Sequence, residues 1–191
     1  MSVREIVTVG HPVLRQRAVE VTPEDLVLPD TQRFIDDLID TMRDANGAGL
    51  AANQIHETVR VCVIEVNQNP RYPYKPDIPL TILVNPVLTP LGTDRYENNE
   101  GCLSVPNLRG NVWRHLSVRV QALDRDGGVI DDVKHGLTAG TFQHEVDHLD
   151  GVLFVDRVDD PTTLSTWEQF DRHHRAAFVE RISELVARVG S

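Results

Sequence analysis

In "TQRFIDDLIDTMRDANG" the apolar residues Phe34, Leu38 and Met42 recur at helical spacing, and Ile35 and Ile39 widen the stripe. This predicts an amphipathic helix. Asp30 or Thr31 is expected to cap its start, and Asn46-Gly47 to mark its end. "VRVCVIEV" (59–66) and "LTILVN" (80–85) are β-branched runs and read as buried strands. The Pro-rich stretch between them reads as a loop. "HLSVRVQALDRDGGVIDDV" (115–133) predicts a hairpin turning at Asp126-Gly127-Gly128. A helix is expected over 137–149, and a second from Pro161 onward. The second carries a stripe of Trp167, Phe170, Phe178, Ile182, Leu185 and Val189, with His174 as its one polar member. Strands precede and separate the helices without regular βαβ alternation, so the expected class is α+β. The length of 191 residues fits one domain, 1–191.

Charge narrows the function classes. A formal net charge of -10 argues against direct DNA binding or attachment to an anionic membrane, both of which need a basic footprint. No apolar run is long enough to span a bilayer. "MSVREIVTVG" lacks the basic start and apolar core of a secretory signal, so a cytoplasmic location is expected. Two cysteines, Cys62 and Cys102, suggest no disulfide framework.

The chemistry is concentrated in "TFQHEVDHLDG" (141–151). His144 and His148 are four residues apart, so on a helix both imidazoles reach one metal ion from the same face. Glu145 can lean over the metal's open position and take a proton from water whose pKa the metal has lowered. Asp147 or Asp150 could orient an imidazole through its second nitrogen. Two histidines on a polar helix face can also be incidental, and a catalytic zinc-type centre needs a third protein ligand. Downstream, "DRHHR" (171–175) offers His173 and His174, with Glu168 nearby. Upstream, Cys102 follows a glycine in the polar stretch "ENNEGCLSVP", which does not read as a core strand. Its thiolate would be a soft ligand. Cys62, flanked by Val61 and Val63, reads as a small buried hydrophobe.

Three blocks, "GAGLAANQ" (47–54), "EGCLS" (100–104) and "QHEVDHLDG" (143–151), stand in the order and at the separations of the peptide deformylase family, and "GHPVLRQRA" (10–18) is similar to that family's opening segment. The resemblance spans most of the chain. It implies a fold with the His-Glu-x-x-His helix among β-sheets and a C-terminal helix. It further implies Cys102, His144 and His148 as ligands of one divalent metal, Fe²⁺ in the cell, with Zn²⁺, Ni²⁺ or Co²⁺ as alternatives. Glu145 would be the general base and then acid, and the Gln54 amide and Leu103 backbone N–H would be donors to the oxyanion. The implied reaction removes the formyl group from the N-terminal formyl-methionine of nascent polypeptides, releasing formate, with transient ribosome association.

By the same resemblance, Ala48, Leu137 and His144 match the lining of a methionine pocket. Gly47, Gly49, Glu100 and Arg109 match positions around bound substrate or its supporting loop. For Gly47 and Gly49, a helix C-cap and turn is an equally compatible role. Two positions depart from the pattern. Gly140 stands where a bulkier residue is usual, which would suit a helix start or a wider pocket. His56 stands where glycine is common. Over residues 168–191 four arginines balance four acidic residues, so the terminal helix offers no strong phosphate-binding surface.

Overall fold

A computed structural model describes residues 2–190; Met1 and Ser191 of the expected 1–191 unit lie outside the described residues. The elements in chain order are α1 (Pro23–Leu26), α2 (Pro29–Asp44), β1 (Gly49–Ala51), β2 (Val61–Val66), β3 (Ile78–Pro90), β4 (Arg95–Cys102), β5 (Val105–His115), β6 (Ser117–Leu123), β7 (Val129–His135), α3 (Gly136–Leu149), α4 (Trp167–His173) and α5 (Arg175–Val189). An antiparallel sheet of order β1-β2-β3-β6-β7 is accompanied by the separate hairpin β4-β5. The class is α+β, as the patterning predicts.

β2 explains the layering. Its side chains alternate in direction, as a strand requires, yet nearly all are buried. Cys62, Ile64 and Val66 pack into a cluster with Ala139, Phe142 and Leu149 of α3. Val61 and Val63 pack on the opposite side with Ile35, Leu38, Ile39 and Met42 of α2. The sheet is therefore clamped between α2 and α3, and each buried aliphatic contributes about 1.5–3 kcal/mol of burial free energy. This fixes the height and rotation of α3, which carries the histidines.

Several expectations are corrected. Helix α2 begins with Pro29 at its first position and Leu28 as an uncapped N-cap, so neither Asp30 nor Thr31 caps it. Pro29 supplies a preset φ and has no N–H to satisfy there. Its end does fall at Asn46-Gly47 as expected: Asn46 takes the left-handed conformation (φ 51°), and Gly47 N donates to Met42 O at 2.9 Å. β3 extends well beyond 80–85, because its outer residues pair with β6. The polar stretch before Cys102 is a strand after all: β4 pairs with β5 from Arg95↔His115 to Cys102↔Val105. Burial alternates only partly along β4, which hid it from pattern reading.

The 124–128 turn is as expected. Asp124 Oδ1 accepts from Asp126 N (2.9 Å) and Gly128 N (2.7 Å), and Gly127 takes φ 84°. The terminal helix is not continuous. It starts at Trp167 and breaks at His174, which is exposed at the joint and not on the stripe. Phe170, Phe178, Ile182 and Leu185 do form one cluster, against Tyr96 and Leu137.

Candidate metal centre and cleft

α3 presents His144, Glu145 and His148 to the end of the β4-β5 hairpin, where Cys102 closes the last rung before the turn at residues 103–104. The ligand atoms of Cys102, His144 and His148 all lie within 4.8 Å of one another. Cys102 Sγ is 3.2 Å from His148 Nε2. Metal–ligand bonds of about 2.0–2.3 Å place tetrahedral ligand atoms roughly 3.3–3.7 Å apart, so this donor set fits a divalent metal. His173 and His174 are exposed on the terminal helices and take no part in this cluster.

Glu100, buried, accepts from His144 Nδ1 at 2.8 Å, leaving Nε2 for a metal. Arg114 grips the same carboxylate with two hydrogen bonds of 2.8 Å. Burial alone would raise Glu100's pKa, but the Arg114 charge and hydrogen bonds outweigh it and hold the carboxyl well below its ordinary range. An ionised carboxylate behind the imidazole fixes its tautomer and makes it a better ligand. Asp147 and Asp150 do not serve this role. Asp147 is taken by Arg114 and Arg157, and Asp150 by Arg60. Burial pushes the pKa of His148 well below its ordinary value, which favours the neutral form a metal ligand needs.

Gln54 is oriented by its own backbone turn. Its Oε1 accepts from Ala51 N at 2.9 Å. The amide nitrogen is thereby turned to Ser104 Oγ (3.0 Å) and Cys102 Sγ (3.6 Å), beside the cluster. Glu145 is 4% exposed, and its Oε2 has no partner among the described residues. Burial raises its pKa to about 7, where a carboxylate exchanges protons efficiently near neutrality. Its side chain lies against Gly49: a Cβ there would sit 2.5 Å from the Glu145 carboxyl carbon. Gly49 thus makes room for the base.

A cleft opens over these groups, and Gly47, Ala48, Gly49, Leu103 and Glu100 line it. Arg109 also reaches it from a fully buried position, its guanidinium 4.0 Å from the Trp167 ring and 4.5 Å from that of Phe170. Leu137 does not reach the cleft; it is buried in the cluster with Tyr96 and Phe170. Gly140 is inside α3, neither at its start nor opening a wider pocket. The Tyr96 hydroxyl fills its side-chain space, 2.1 Å from where a Cβ would be. His56 adopts the left-handed conformation (φ 70°) that glycine takes more easily.

Sequence reasoning missed Arg114, Ser104, Lys75 and Thr141. Thr141 was discoverable, since it precedes His144 by three and Glu145 by four and so shares their helix face. Lys75 gave no signal from its Pro-rich loop.

A polypeptide deformylase family model matches residues 3–163. Peptide deformylase 1 of Prochlorococcus marinus is 42% identical over 96% of this chain and 93% of its own length. Peptide deformylase 2 of Nostoc is 41% identical over 86% and 91%. Among solved structures, the Met-Ala-Ser-bound class I type b peptide deformylase from Acinetobacter baumannii is similar at TM-score 0.79 and 36% identity, covering 82% of this chain and 99% of that one. The peptide deformylase from Thermotoga maritima gives 0.74 and 30%, covering 84% and 100%.

Proposed function

The chain belongs to the polypeptide deformylase family, and from that premise we propose that residues 1–191 act as one hydrolytic unit that removes the formyl group from N-terminal formyl-methionine of nascent polypeptides. The observation that carries this is the convergence of Cys102, His144 and His148 beside a buried, unpartnered Glu145 carboxylate oxygen. The Acinetobacter relative was solved with Met-Ala-Ser bound, a peptide of the kind the reaction would release.

In this reading Cys102, His144 and His148 hold one divalent metal, Fe²⁺ in the cell. That ion supplies Lewis-acid polarisation of the formyl oxygen and activates water at neutral pH. Glu145 removes a proton from the attacking water and hands it to the departing methionine nitrogen. A group with a pKa near 7 can do both. The Gln54 amide and the Leu103 backbone N–H donate to the oxygen as negative charge develops on it. Glu100 and Arg114 keep His144 oriented through the cycle. Arg109 and the glycines at 47 and 49 border the path of the substrate backbone. The site of action is the cytoplasm, with transient docking to the ribosome.

The test is formate release from formyl-Met-Ala-Ser by metal-loaded protein. Glu145→Ala should keep its metal and lose turnover, whereas Cys102→Ala should lose metal. Cleavage of an unformylated peptide with no formate release would replace this reading with a peptidase.

A further inference from the structure

Beside the metal ligands one recess of the cleft is bordered by the polar side chains of Lys75, Asn98 and Thr141, with Gly140 between them. Thr141 projects from α3 one turn before His144 and Glu145 and lines the cleft, 4% exposed. Its hydroxyl donates to Leu137 O (3.1 Å), so its lone pairs face outward, and one accepts from Lys75 Nζ at 2.9 Å. Lys75 comes from the 67–77 loop, and its ammonium lies 4.9 Å from the Tyr72 ring centroid. An ammonium has three donors, and Thr141 takes one. Asn98 enters from β4, its amide nitrogen bonded to Glu100 Oε1 at 3.1 Å. Arg109 Nη1, buried, has no hydrogen-bond partner among the described residues.

Nothing apolar on α3 covers these groups. Position 140 is glycine with its space filled by the Tyr96 hydroxyl, and Leu137 is turned into the core. The apolar share of the cleft wall is left to Ala48, Leu103 and the Tyr72 and Tyr74 rings. Ligand pockets are usually apolar with a few placed polar groups, so a wall with two cations, a hydroxyl and an amide indicates a ligand with oxygen acceptors. The thioether of methionine is a weak acceptor and would leave those donors unanswered.

We propose that the recess walled by Lys75, Asn98, Gly140 and Thr141 is a polar side-chain subsite, and that the protein also deformylates peptides whose first residue has an unbranched side chain of about methionine length ending in an oxygen acceptor, a carboxamide or carboxylate. This rests on the deformylase reading above. Lys75, held in place by Thr141 Oγ1, donates to the acceptor oxygen, Asn98 and Gly140 border the path of the side chain, and the buried Arg109 guanidinium favours negative charge there.

The test compares kcat/KM for formyl-Gln-Ala-Ser, formyl-Glu-Ala-Ser, formyl-norleucyl-Ala-Ser and formyl-Met-Ala-Ser, on metal-loaded wild type, Lys75→Met and Thr141→Val. In wild type at least one oxygen-bearing substrate should reach one-tenth or more of the norleucine value. Each variant should lower that ratio at least tenfold while still turning over the norleucine peptide. Two substitutions on different elements guard against one misfolding. A wild-type ratio below one-tenth, or a ratio unmoved in a folded variant, overturns the polar subsite and leaves deformylation intact. Silence toward all four peptides, formyl-Met included, overturns the deformylase reading and the subsite together.

Discussion

Gly49→Ala isolates the position of the general base from the stability of the fold. The new Cβ would stand 2.5 Å from Cδ and Oε1 of Glu145 and 2.6 Å from Cγ. Ordinary carbon contacts are about 3.5–4.0 Å, so roughly 1 Å of overlap must be relieved. The backbone at 49 is pinned by its pairing with Ile64 in β2 and the bond from Glu65 N to Ala48 O. The carboxylate, at the end of a side chain with rotatable bonds, is what yields. That costs little stability but moves the base by about 1 Å, a displacement that can cost about 100-fold in rate. We expect kcat to fall about 100-fold, with metal content unchanged and Tm shifted by less than about 4 °C, the equivalent of about 1 kcal/mol at this size. Formate release, metal analysis and a thermal scan decide it. A folded, metal-loaded Gly49→Ala protein within threefold of wild-type kcat would refute the placement of Glu145 as base.

Three further predictions follow from other contacts. Gly140→Ala should destabilise by about 1–3 kcal/mol through collision with the Tyr96 hydroxyl. Tyr96→Phe should rescue it, since the nearest remaining ring atom, Cζ, is 3.4 Å away; a double-mutant cycle showing no coupling would contradict the steric account. Gln54→Ala should reduce kcat by on the order of 10²–10³ with metal retained, as checked by formate kinetics beside metal analysis. Glu100→Gln should cost about 3–5 kcal/mol at pH 7 because it breaks a buried pair. Glu100's folded pKa is depressed, so its stabilisation is present above the unfolded value of about 4.3 and is lost as pH falls through the folded value. Urea midpoints of metal-free wild type and variant should therefore converge below about pH 4, and a constant gap down to pH 2 would contradict this.

What is local and periodic could be read directly from the order of residues. The α2 stripe, the β2 run, the 124–128 turn and the spacing of His144, Glu145 and His148 each express a rule that acts over a few residues. The class of metal helix and its family resemblance were legible for the same reason. Tertiary structure decided the rest, because the deciding contacts join residues far apart in the chain. Cys102 reaches His148 only when the β4-β5 hairpin folds onto α3, and no pattern in "ENNEGCLSVP" announces that strand. Glu100, not the nearby Asp147 or Asp150, orients His144, because β4 brings the Glu100 carboxylate to 2.8 Å from His144 Nδ1. Gly140, which in sequence reads as a weak point in a helix, is required by a hydroxyl arriving from Tyr96, 44 positions away. Gly49 is required by the carboxylate of Glu145. In both cases the helix and its partner strand approach too closely for a side chain on both, and only the packed structure shows which one yields.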